Sequence, residues 1–155
     1  MLSMFSLLTA GKKRRNTPKR RSNNIRIRVG KGYRSIPRRY VPKNLSRRDA
    51  SKQKRSIRLG KKRPKVKYPK KKSGWTKKFH DKYGDKSLRW ISKYIISKRG
   101  INEIKRKGIA AYYTSGSRPN QTPQSWWKAR LYSVIMGGPA RRIDKKIWDM
   151  YKIAK

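Results

Sequence analysis

Apolar residues recur with a helical period only in the second half of the chain. Trp75, Phe79 and Tyr83 stand four apart and share one helical face, which Gly84 stops. In "SLRWISKYIISKRG", Leu88, Ile91 and Ile95 fall on one face with Trp90 and Tyr94 beside it. Ser97 is placed to cap a further short helix through Ile101 and Ile104, ending at Gly108. Thr122 as N-cap and Pro123 at the first helical position begin another, which runs to Gly137-Gly138. Pro139 opens a last one, with Ile143, Ile147, Met150 and Tyr151 along its inner face. Residues 75–155 are thus predicted to form a small domain, a bundle of four or five short helices.

Before residue 75 the pattern changes. Residues 11–43 carry Gly, Pro and Asn at short intervals and no apolar period; only "IRIRV" (25–29) alternates, as one short strand would. Ser46 followed by Asp49 resembles a capping box, and Leu45 is placed to staple onto Ala50. They predict one helix over 46–59, stopped by Gly60 and basic nearly all round. "KKRPKVKYPKKKSG" then returns to an extended linker. The fold class is therefore mainly α: a long, extended, highly basic arm (11–74) ahead of the helical domain. Residues 1–10, "MLSMFSLLTA", are apolar but too short to span a bilayer as a helix. An organelle presequence, an anchor inserting into a partner or membrane surface, and a frayed terminus all fit them.

Charge sharpens the division. The 155 residues hold 48 Lys and Arg against 6 Asp and Glu, a net charge of +42. Residues 1–74 carry 28 of the bases and one acid, Asp49. Such a chain needs a counter-charge, and DNA, RNA, an anionic membrane surface or an acidic protein surface would each supply it. The candidate contacts are the basic runs: Lys12, Lys13, Arg14 and Arg15; Arg20 and Arg21; Lys61, Lys62 and Arg63; Lys70, Lys71 and Lys72.

Catalytic and metal chemistry find little to work with. There is no cysteine, hence no disulfide, zinc ribbon or thiol nucleophile. His80 is the only histidine, and its neighbour Asp81 points about 100° away on a helix. Ser115 or Ser117 as nucleophile would have only His80 for a base. The acids are scattered singly. No enzymatic activity, metal, cofactor or small-molecule substrate is expected.

One stretch stands apart. From Thr114 to Ser125 the only charge is Arg118, in a run of Ser, Gly, Pro, Asn, Gln and Thr between aromatic pairs. Locally it makes a turn and a helix start: Gly116 permits positive φ, Pro119 fixes a bend, and Thr122-Pro123 caps. It also suits an anion, with Arg118 as the fork and Ser115, Ser117 and Thr122 as hydroxyl donors. A third role is contact with a neighbouring subunit, Trp126 and Trp127 being the aromatic anchors. One of that pair can face the core; the other needs a partner on the far side.

"RYVPKNLSRRDASKQKRSI", "SGWTKKFHDKYG", "IISKRGINEI" and above all "YYTSGSRPNQTPQSW" resemble a family of small basic proteins of unknown function. These come from nucleocytoplasmic large DNA viruses of algae and protists. The resemblance covers roughly Arg39 to Lys152. It implies a viral setting, and with it a first expectation of a structural virion protein. That would be a minor capsid protein whose basic arm threads between or beneath other capsid proteins. A second is a virion protein that binds and condenses the packaged DNA. Outside the viral setting, an organellar ribosomal protein with an rRNA-binding arm fits the same charge.

Overall fold

The computed structural model describes residues 23–153. The apolar segment 1–10 and the cations Lys12, Lys13, Arg14, Arg15, Arg20 and Arg21 lie outside the described residues. The chain begins with a hairpin of β1 (Asn24–Val29) and β2 (Gly32–Pro37). Seven helices follow among the described residues: α1 (Arg47–Arg58), α2 (Gly74–Tyr83), α3 (Leu88–Tyr94), α4 (Lys98–Ser115), α5 (Pro123–Ile135), α6 (Pro139–Ile143) and α7 (Lys145–Tyr151).

Local chemistry sets the helix starts. Ser46, Ser73, Ser87, Ser97 and Thr122 each accept a bond from a backbone N–H in the first turn of the helix they precede. Thr122 and Ser125 exchange bonds as a reciprocal box, with Pro123 at the first helical position. Asp49, by contrast, does not close a box with Ser46; its carboxylate accepts the N–H of Lys67.

The alternation of "IRIRV" becomes β1, and it pairs antiparallel with β2 in the register Ile25↔Ile36, Ile27↔Arg34 and Arg28↔Tyr33. Ile25, Ile27, Val29 and Ile36 line one face, while Arg26, Arg28 and Tyr33 line the other. The second strand has no such pattern, since Ile36 is its one aliphatic residue between Gly32 and Pro37. A hairpin therefore occupies part of the region expected to be extended.

Two apolar clusters form. The larger joins Phe79, Ile91, Ile96, Ile101, Ile104, Trp127, Leu131 and Ile147. The smaller joins Ile27, Ile36, Tyr40, Val41, Leu45 and Ile57, with Ala50, Val66, Tyr68 and Trp126 packed against it. Helix α5 lies between them and is apolar on both sides, which answers the question raised by adjacent tryptophans. Trp127 faces the larger core, and Trp126 meets Tyr40 edge-on at 5.8 Å. The basic half thus completes its core with a side chain from the helical half.

Two helix boundaries differ from the sequence pattern. Helix α4 does not stop at Gly108 but continues to Ser115, where Gly116 (φ +92°) ends it. Gly108 serves close approach: a Cβ there would lie 2.6 Å from the Trp127 Cβ and 2.8 Å from its Cα. The last predicted helix is two, broken at Asp144, and Ile143 (69% exposed) and Met150 (71%) are not on an inner face.

Candidate polyanion-binding surface

The run 115–122, with Arg118 its one charge, folds as a clasp. Ser117 and Pro119 are buried on either side of Arg118, and Asn120 adopts φ +55°. The Asn120 amide donates to the carbonyls of Val66 (2.9 Å) and Tyr68 (2.6 Å), while its oxygen accepts the Val66 N–H at 2.9 Å. Gln121 donates to the Lys71 carbonyl at 3.0 Å and accepts from Ser125 at 2.8 Å. Side-chain amides thus satisfy the backbone of a basic segment that has no ladder of its own.

Arg63, placed by sequence among the polyanion contacts, is instead buried. Its guanidinium donates to the Ser117 hydroxyl (3.0 Å), the Ser56 hydroxyl (3.2 Å), and the carbonyls of Lys61 and Tyr112 (each 2.6 Å). It also lies 4.8 Å from the centre of the Tyr112 ring, whose hydroxyl accepts the Arg63 N–H at 2.9 Å. Burial draws the Arg63 pKa down, against the favourable pull of Tyr112. Burial also raises the pKa of Tyr112. Arg63 is unsuited to an external anion because its donors are already committed to neutral oxygens.

The clasp consumes other expected donors. The Ser117 hydroxyl faces Arg63, and Thr122 caps α5, so neither awaits an anion as part of an Arg118 fork. Trp127 is buried, and Trp126 is half-buried against Tyr40. Tyr40, Tyr68 and Trp75 pack against the two cores; the most exposed tyrosine is Tyr33, at 66%, with the Arg26 guanidinium 5.0 Å from its ring centre. Its outward position opposite Arg28 comes from the hairpin register, which the sequence pattern of the second strand did not show. His80 lies 3.6 Å from Asp85, not from Asp81.

A second arginine not singled out by sequence also turns inward. Arg34, on the inner face of β2, donates to the Ile57 carbonyl at 3.1 Å and to the Thr114 carbonyl, closing the ends of α1 and α4. Arg141 does the same for α5, bonding the carbonyls of Val134 (2.7 Å) and Ile135 (2.6 Å). Cations at helix C-termini meet both the unpaired carbonyls and the negative end of the dipole.

What remains outside is strongly one-signed. Residues 23–74 hold 21 Lys and Arg, of which 18 are exposed, against the single acid Asp49. Lys61, Lys62, Lys70, Lys71 and Lys72 are among the exposed ones, as contact with a polyanion requires. On the hairpin's outer face Arg26 and Arg28 join Lys31 at the turn, and Arg47, Arg48, Lys52, Lys54, Arg55 and Arg58 cover α1. Arg118 is half-buried and lines a small cleft. Among the described residues no helix is long and apolar enough to cross a membrane.

No curated protein and no solved structure matches the chain. A family of unknown function, DUF5824, matches residues 27–147. That span runs from the buried Ile27 of the hairpin to the buried Ile147 of α7, and so takes in both cores. The clasp lies within the matched span, as does the hairpin except for residues 24–26, and the chain belongs to the DUF5824 family.

Proposed function

We propose that this chain is a non-enzymatic binding protein for the phosphate backbone of nucleic acid. The observation that carries this reading is the outward surface of residues 23–74, where 18 exposed cations face a single acid on a folded support. Cations held on a hairpin and helix lose less freedom on meeting a polyanion than those on a loose tail, so more of their attraction appears as affinity. Phosphate contacts of this kind position a protein without reading sequence. Binding of the full chain to a duplex of arbitrary sequence tests it. If six to ten phosphates are met, affinity falls roughly 10³–10⁵-fold between 50 and 200 mM salt. Binding that ignores salt, or none at 50 mM, refutes the reading.

A second reading is a structural virion protein, a minor capsid component seated among other capsid proteins. Ile143 and Met150, 69% and 71% exposed near the C-terminal end, favour it, because apolar side chains in water mark contact with protein more than with phosphate. Salt and detergent extraction of virions separates the two. Release with the DNA supports the first reading, and retention with the shell supports the second.

A further inference from the structure

The clasp holds together two walls of a cleft that has no assigned role. The cleft, of about 170 Å³, is lined by Arg39, Tyr68, Pro69, Lys71, Arg118 and Pro119. Three cations therefore converge on one small space. None of them pairs with a carboxylate among the described residues, whose four ion pairs lie elsewhere. Burial raises the pKa of Tyr40, and the charges of Arg39, Arg118 and Arg63 oppose that rise. The Arg39 guanidinium stands 5.8 Å from the centre of that ring.

The walls are fixed in advance. Arg118 springs from backbone held between the buried Ser117 and Pro119. The opposite wall, Tyr68 to Lys71, is fastened to the same loop by Asn120 at one end and Gln121 at the other. A site on walls already fastened together loses less entropy on binding than one on a loose segment. Two forked guanidinium groups and an ammonium suit a phosphate group, whose oxygens accept bidentate bonds. A terminal phosphate, with up to two charges, matches three cations better than a singly charged phosphodiester or carboxylate does. The space is smaller than the roughly 300 Å³ at which pockets for drug-sized ligands begin, so it takes a phosphate and not a nucleobase with it.

We infer that the Arg39–Lys71–Arg118 cleft is a discrete binding site for one phosphate group, distinct from the diffuse basic surface around it. The inference deepens the nucleic-acid reading and rests on it for the source of the phosphate, which is a strand end or a backbone phosphodiester.

The test uses the full chain and a charge-conserving variant, Arg39→Lys with Arg118→Lys, beside a control with Arg99→Lys and Arg106→Lys at two exposed positions of α4. Inorganic phosphate at constant ionic strength should raise the melting temperature of the wild-type chain and the control. In the cleft variant the affinity read from that rise should be about tenfold weaker, because the charge remains and the forks are gone. No rise in the wild type, or an equal rise in the cleft variant, overturns the site. Should the double variant itself melt early, Lys71→Gln is set beside Lys128→Gln, which removes one exposed charge outside the cleft; only the former should weaken the effect of phosphate, and equal effects overturn the site. Duplexes with 5′-phosphate and 5′-hydroxyl ends then identify the source. Tighter binding of the former, lost in the cleft variant, assigns a strand end; equal binding, still weakened in the variant, assigns the backbone. If phosphate stabilises the chain and no duplex binds, the nucleic-acid reading fails while the site stands.

Discussion

Each of the two cores has a buried or half-buried arginine beside it, and each satisfies that charge differently. On the helical side Arg130 grips the fully buried Asp144 through bonds of 2.7 and 2.8 Å, with Lys107 at 3.7 Å. On the basic side Arg63 has no carboxylate partner among the described residues. Two serine hydroxyls, two carbonyls and the face of Tyr112 surround it instead. A chain with 6 acids and 48 bases cannot give every inward cation a carboxylate. It can supply neutral oxygens, and the run from Thr114 to Ser125 lies where they are needed. That stretch is thus part of the lining for a buried arginine and a fastening for the basic segment beside it.

The comparison can be broken by substitution. Asp144→Ala strands Arg130 and should destabilise the fold by about 3–5 kcal/mol, the usual cost of removing one partner from a buried ion pair. Arg63→Met removes a charge without stranding another, leaving only neutral acceptors unpaired, and should cost about 1–3 kcal/mol in urea unfolding. If Arg63→Met proves as damaging as Asp144→Ala, the proposed distinction between the two sites is wrong. Asn120→Gly keeps the positive φ without strain and deletes the amide bonds to residues 66 and 68. It should cost about 1–2 kcal/mol, and limited trypsin digestion should cut sooner at Lys65, Lys67 and Lys70.

The smallest expected effect is of pH. Burial raises the pKa values of Tyr40, Tyr112 and Tyr132 above the ordinary tyrosine value of 10.0. Above that value the folded chain keeps phenolic protons that the unfolded chain releases, so this contribution is level below about pH 10 and is lost as pH rises beyond it. Phenolate absorbance followed alongside urea unfolding checks it. Part of the absorbance change should be delayed beyond the ordinary tyrosine range and appear with unfolding.

Much of the helical half was legible because its signals are local. Hydroxyl caps at Ser97 and Thr122 bond residues three positions on, and the four-residue spacing of Trp75, Phe79 and Tyr83 needs only the helix that carries it. The basic half was legible as charge and as one strand. Its second strand was hidden because Arg34, on the inner face, reads as a surface residue until the ends of α1 and α4 arrive to accept its bonds. Gly108 resembled a stop because the sequence could not show Trp127 pressing against it. Asp144 resembled one scattered acid until Arg130 came within reach from α5.

The order of residues alone settled where most helices begin, that one strand alternates, and that the chain carries a large excess of positive charge. Packing decided which of those cations face outward. Arg63 and Lys62 are neighbours in one basic run, yet Lys62 is exposed and Arg63 is buried. The physical reason is distance along the chain: the oxygens that satisfy Arg63 include those of Tyr112 and Ser117, 49 and 54 residues away. Burying a guanidinium is favourable only where such partners have been brought together, and that is a property of packing rather than of local pattern.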